Sequence, residues 1–200
     1  MTMLNAMDIF TAWVQKNICD GLKFKVPDDK VMDAGYKYQT AMPVTYSMFI
    51  PAKDRMKRPE LPQFPCTCVQ FVMGEDQPKN SSRKLDVRLV LATWSPGDHG
   101  KDYFVPQEDG SYKQSDKATF SKNEEGWREA WSFMETSLAA LESTDTIDGI
   151  RIAHEDGFKY GPFLDEQKSV VDLWPYWFSY IDFRIELGLN RHNTDYDGLL

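Results

Sequence analysis

Residues 174–185 read WPYWFSYIDFRI, with six aromatic side chains inside ten positions. Their spacing decides between a helix and a strand, and the period is two. The odd positions Trp177, Ser179, Ile181, Phe183, Ile185 and, just beyond, Leu187 form one apolar face with a single serine in it. Successive side chains of a strand point to opposite sides, so this set faces a core. The even positions make a second face that changes character along its length. Trp174, Tyr176, Phe178 and Tyr180 come first, then Asp182, Arg184 and Glu186.

Residues 84–94, KLDVRLVLATW, carry the same pattern in the opposite sense. Leu85, Val87, Leu89 and Leu91 make a core face, while on the other side Asp86 and Arg88 precede Val90, Ala92 and Trp94. Antiparallel pairing of the two segments brings the apolar ends together, with Trp94 near Trp174 and Arg88 towards Asp182. Upstream, CTCVQFVMGED at 66–76 alternates Val69, Phe71 and Met73 against Cys68, Gln70 and Val72. With a polar connection over 74–83, it is expected to pair antiparallel with the strand that follows.

Two stretches have helical period instead. Leu4, Met7, Phe10, Val14 and Ile18 recur at steps of three and four, with Trp13 widening the stripe and Asp20-Gly21 ending it. Trp127, Trp131, Met134, Leu138 and Leu141 form the second stripe, with Arg128, Glu129 and Glu135 opposite, and Ser121 to Glu124 reads as a capping box that opens the helix. Shorter strands are expected within 44–51 and over 146–153. Long excursions span 22–65, broken by Pro51, Pro59, Pro62 and Pro65, and 95–120, which holds at most a small hairpin. The fold class that results is α+β: one domain over 1–200, a mainly antiparallel sheet flanked on one face by two amphipathic helices, with long loops.

Composition narrows the function classes. A net charge of −8, with no basic cluster denser than Lys53, Arg55, Lys57 and Arg58, disfavours a protein that grips phosphate backbones. MTMLNAMDIF has no basic leader region, and no run approaches the roughly 20 apolar residues of a membrane span, so the expected location is cytoplasmic, without a membrane. Cys19, Cys66 and Cys68 do not make a disulfide framework or a four-ligand zinc set, and His99, His154 and His192 form no pair at metal-ligand spacing. There is no phosphate loop and no nucleophile elbow. No catalytic residue, cofactor or metal is expected. The half-aromatic sheet face needs closing by the long loops, by a protein partner or by a small molecule, in that order of expectation.

PCTCVQFVMGED and the terminal WPYWFSYIDFRIEL, in a chain ordered helix, strands, long loop, helix, strands, resemble the tail terminator (tail completion) proteins of tailed bacteriophages. At residue level the resemblance rests on Pro65, Cys66, Val69, Gln70, Gly74 and Asp76 and on 174–185. The chain departs from compact members through 22–65 and 95–120. The resemblance implies a structural virion protein, assembled in the host cytoplasm as a homo-hexameric ring that caps the tail tube, ends its polymerisation and joins tail to head. Its partners would be the tail tube protein, the neck or connector protein and, in a contractile tail, the sheath, with DNA passing through the lumen unbound. Interface candidates are Trp94, Trp174, Tyr176, Phe178 and Tyr180, with Asp86, Arg88, Asp182 and Arg184 as ring contacts. The alternatives are a head-to-tail connector, an inner tail chaperone, and a small cytoplasmic enzyme or ligand-binding protein using the aromatic face as a pocket floor.

Overall fold

The first helix, α1 (Met3–Val14), starts at Thr2, whose hydroxyl accepts the Asn5 N–H at 3.2 Å. A π-helical turn over Gln15–Cys19 follows, and it keeps Ile18 and Cys19 on the buried side before Asp20-Gly21 ends the helix. The structure, a computed structural model, describes residues 1–32, 38–56, 60–77, 80–99, 104–106, 108–114, 120–122 and 124–188.

Beyond α1, β1 (Phe24–Lys25) pairs with β2 (Thr40–Ala41). β3 (Val44–Ser47) runs parallel to β4 (Cys66–Gln77), so the sheet is mixed. β3 stops short of the expected Pro51 because Met48 takes a left-handed φ of 68°. Its outer edge is covered by Gln15, whose side chain accepts the Thr45 N–H at 2.9 Å and donates to the Pro43 carbonyl at 3.1 Å.

β4 and β5 (Ser82–Trp94) form the expected antiparallel pair, but the strands run on through most of the polar connection, β4 as far as Gln77 and β5 from Ser82. The alternation predicted for β4 breaks at a bulge between Phe71 and Met73. Val69 is buried, whereas Met73, expected on the same face, lies opposite Asp86 and is exposed. Gly74 takes the core-side position opposite Leu85, where a Cβ would come within 2.7 Å of Leu85 Cδ2.

The 95–120 excursion holds two antiparallel ladders outside the main sheet: β6 (Gly97–His99) with β9 (Phe120–Lys122), and β7 (Phe104–Pro106) with β8 (Tyr112–Gln114). Ser121 and Lys122 therefore belong to a strand, not to a capping box. The second helix, α2 (Trp127–Glu142), starts at Gly126 without a side-chain cap. The expected strand at 146–153 is a hairpin, β10 (Thr146–Ile147) and β11 (Ile150–Ile152), turned by Asp148-Gly149 with φ of 44° and 86°. β12 (Lys159–Pro162) and β13 (Tyr176–Gly188) complete the fold.

The main sheet runs β10-β11-β13-β5-β4-β3, with β12 on the outer edge of β13 alongside β11. Both helices lie on one face, burying Phe10, Val14, Phe133 and Leu141 against Leu85, Leu89, Leu91, Ile181 and Ile185. α2 is rotated relative to its predicted stripe. Ala130, Phe133, Met134, Ser137, Leu138 and Leu141 are buried, while Trp127 is 42% exposed. Ser137 satisfies its hydroxyl by donating to the Phe133 carbonyl at 2.8 Å, and Ser179 of β13 donates to Ala130 at 3.1 Å, tying helix to sheet.

Gly126, at the start of this helix, packs directly on Trp177 of β13. A Cβ there would fall 2.1 Å from Trp177 Nε1, the atom that donates to the Ser95 carbonyl at 2.9 Å. Gly126→Ala is expected to displace the Trp177 ring and cost about 1–3 kcal/mol through overpacking, measured as a lower midpoint in denaturant unfolding.

Candidate functional site

β13 and β5 pair over thirteen consecutive positions, from Tyr176↔Trp94 to Gly188↔Ser82. Trp94 thus sits opposite Tyr176 rather than Trp174, because Trp174 and Pro175 precede the strand. Asp182 lies directly opposite Arg88, as expected, and Arg184 opposite Asp86.

On the face away from the helices the charged half forms a closed ladder. Arg88 donates to both Asp182 oxygens at 2.7 Å, and Arg184 donates to Asp86 at 2.7 Å and to Asp156 at 3.4 Å. Lys84 reaches Glu186 at 3.1 Å, and Arg151 bridges Glu186 at 2.7 Å and Glu155 at 2.5 Å. The Asp182 carboxylate holds the Arg88 guanidinium above its ordinary pKa, and the Arg151 hydrogen bonds pull Glu155 from 4.5 down to about 2. Asp86, Arg88, Asp182 and Arg184 are thus paired with one another within the chain while their side chains stay about a third exposed. Side chains about a third exposed give pairs worth some tenths of a kcal/mol each, so the ladder favours register more than stability. A cleft of about 370 Å³ lies over it, lined by Val72, Asp156 and Lys159 besides the pairs.

The aromatic half is closed by loops. Phe64 packs on Tyr176 and Phe178 at ring-centre distances of 4.9 and 6.1 Å, and Phe163 packs on Phe178 and Tyr180 at 6.2 and 5.6 Å. Tyr38 stands edge-on to Trp94 at 6.4 Å and donates its hydroxyl to the Gly97 carbonyl at 2.5 Å. Trp94 is only 4% exposed, which removes it from the surface candidates; Trp174, Tyr176, Phe178 and Tyr180 stay half-buried. Arg88 over the Tyr180 ring at 4.9 Å joins the two halves.

What the loops leave open is a groove of about 350 Å³ at the start of β13, walled by Trp127 and Trp131 of α2, by Phe163, Val171 and Leu173 of the segment before β13, and by Phe178. Trp127, Val170, Val171 and Leu173 are exposed at its lip. The 166–173 segment has no periodicity and drew no expectation from the sequence. Trp127 and Trp131 read as buried because they share the helical stripe, although a stripe that also included Ala130, Phe133 and Ser137 puts them on its flank. Glu129, expected on the solvent side, is half-buried. Lys25 Nζ lies 3.0 Å from it, and Ser95 donates to it at 3.3 Å.

Cys66 and Cys68 are buried, and desolvation raises both thiols, Cys68 to about 11, which keeps them protonated and unreactive at neutral pH. Among the described residues no group of three or more His, Cys, Asp or Glu is placed to hold a metal ion, and no helix is long and apolar enough to cross a membrane. His154 Nε2 lies 3.0 Å from the Thr144 carbonyl and its ring packs edge-on against Phe158; His192 lies outside the described residues. Comparison with protein families, with curated proteins and with solved structures finds no match to this chain.

The ladder makes stability depend on pH. Glu155 and Glu186 have folded pKa values below the ordinary 4.5, so their contribution is present above that pH and is lost as pH falls through the folded values. Unfolding free energy is expected to decline from pH 4.5 towards pH 2, and Arg151→Met is expected to make that decline shallower in denaturant titrations at each pH.

Proposed function

We propose that the protein is a structural ring subunit of a phage-type tail, of the terminator kind, which caps the tail tube, ends its polymerisation and joins it to the head-side neck. The α+β order of elements, with two helices on one face of a curled mixed sheet, supports the reading begun by the resemblance in 65–76 and 174–185. The observation that carries it is the open aromatic groove, in a chain that also has two-stranded arms outside the main sheet. A two-stranded arm buries little by itself and gains order from packing on a neighbour, and a groove with exposed Trp and aliphatic lips suits a protein partner. The sheet chemistry fits a subunit whose specificity lies in surfaces. A net charge of −8 suits a lumen through which DNA slides without adhering.

The groove by itself favours a second reading, a small module that binds an apolar ligand, since about 350 Å³ falls within the usual size of ligand pockets. The two readings separate in solution. A terminator is expected to form six-fold rings, alone or on tube ends, in light scattering and negative-stain images, and particles assembled without it are expected to carry overlong tubes. Normal tube length with unjoined heads would move the reading to a connector. A monomer indifferent to tubes, with a melting temperature raised by an apolar compound, would replace the ring by the ligand-binding module.

A further inference from the structure

We propose that this chain associates with copies of itself head to tail, the apolar knob Met48-Phe49 of one subunit entering the α2–β13 groove of the next. The inference rests on the ring reading and deepens it by naming the two surfaces that would meet.

The knob is held out by the backbone. Met48 has a φ of 68°, its N–H donates to the Val69 carbonyl at 2.7 Å, and its carbonyl accepts from Gln70 Nε2 at 3.0 Å. These bonds anchor the turn to β4 while the side chains of Met48 and Phe49 remain 47% and 68% exposed. A left-handed backbone at a non-glycine residue is strained. Here it presents a thioether and a phenyl ring to solvent, with Val72 and Met73 exposed along the same strand.

The groove answers in apolar character and charge. It is apolar and open, and Phe49 of its own chain does not fill it. Glu124, Asp165, Glu166 and Asp172 are exposed next to its lining residues, against Lys168 and an Arg128 already paired with Glu125. The knob is followed by exposed Lys53, Asp54 and Arg55, a net charge of +1, with Arg55 4.0 Å from Asp54. The acidic rim and this flank are opposite in sign, which favours the contact in this direction.

The two surfaces also lie on opposite sides of the sheet. The knob adjoins the β3/β4 edge and the groove lies at the start of β13 beside Pro162 of β12, with β5 between them. Three strand spacings, from β3 to β13, make about 14 Å. A knob and a groove on one subunit can meet reciprocally in a two-fold dimer or successively around a ring; the ring reading selects the second, in which each subunit offers a knob to one neighbour and a groove to the other.

Two surface variants test this. Phe49→Asp removes the knob and keeps the groove; Leu173→Glu does the reverse. Each is expected to unfold at the wild-type temperature and to lose self-association at least tenfold in light scattering. Mixed one to one, they are expected to form a heterodimer of one copy each, because a single intact knob and a single intact groove remain. Rings that persist in either variant, or a mixture that stays monomeric, would overturn the head-to-tail contact and leave the ring reading standing. A wild-type protein that is monomeric alone and on tube ends would overturn both. Met48→Glu and Val170→Glu, at comparably exposed positions, repeat the test should either first variant misfold.

Discussion

The thirteen-position pairing of β13 with β5 is the constraint on which the other elements depend. Both strands present a continuous apolar row to the helices, so a slip of one residue would turn Leu89, Leu91, Ile181 and Ile185 out of the core together. On the reverse face the same register places Arg88 against Asp182 and Arg184 against Asp86. Hydrophobic burial supplies most of the free energy, and the ion pairs penalise misalignment. Everything else attaches to this pair. β4 extends it on one side, β11 and β12 share the outer edge of β13 on the other, and both helices lie across its apolar row.

The reverse face shows two solutions to a single problem. A sheet surface turned away from the helices must be made polar or be covered. At one end the chain uses a cross-strand charge ladder that tolerates water. At the other it uses aromatics, and the loops bring Phe64, Phe163 and Tyr38 down on them. The excursions that look long for a compact domain are therefore partly lids. Covering Trp94 leaves the exposed apolar surface displaced to the lip of the groove, at the junction of α2 with the segment before β13. The functional proposal consequently rests on Trp127, Val171 and Leu173 rather than on the aromatics that dominate the sequence.

The strands were legible because period-two burial is a local signal. Leu85 to Leu91 and Ser179 to Leu187 could be assigned to a face from spacing alone, and their complementary charge order also revealed the antiparallel register to within two residues at the Trp94 end. α1 was legible for the same reason at period 3.6. The start of α2 was misread because Ser121 to Glu124 has capping-box chemistry while pairing with Gly97 to His99 takes Ser121 and Lys122 into a strand. Its stripe was misassigned by about one position, since Ala130 and Ser137 are small and do not register as apolar anchors, although β13 requires small residues where Ser179 meets the helix.

By itself, the sequence determined the fold class, the core faces of β5 and β13 and the pairing of Arg88 with Asp182, because alternation and charge order act between near neighbours on an extended chain. Only the tertiary structure decided which aromatics are covered, where the bulge at Val72 turns Met73 outward, and that Trp127 joins Leu173 in an open groove. These outcomes depend on loops returning from tens of residues away, and the contacts that seat them have no period for a local pattern to carry.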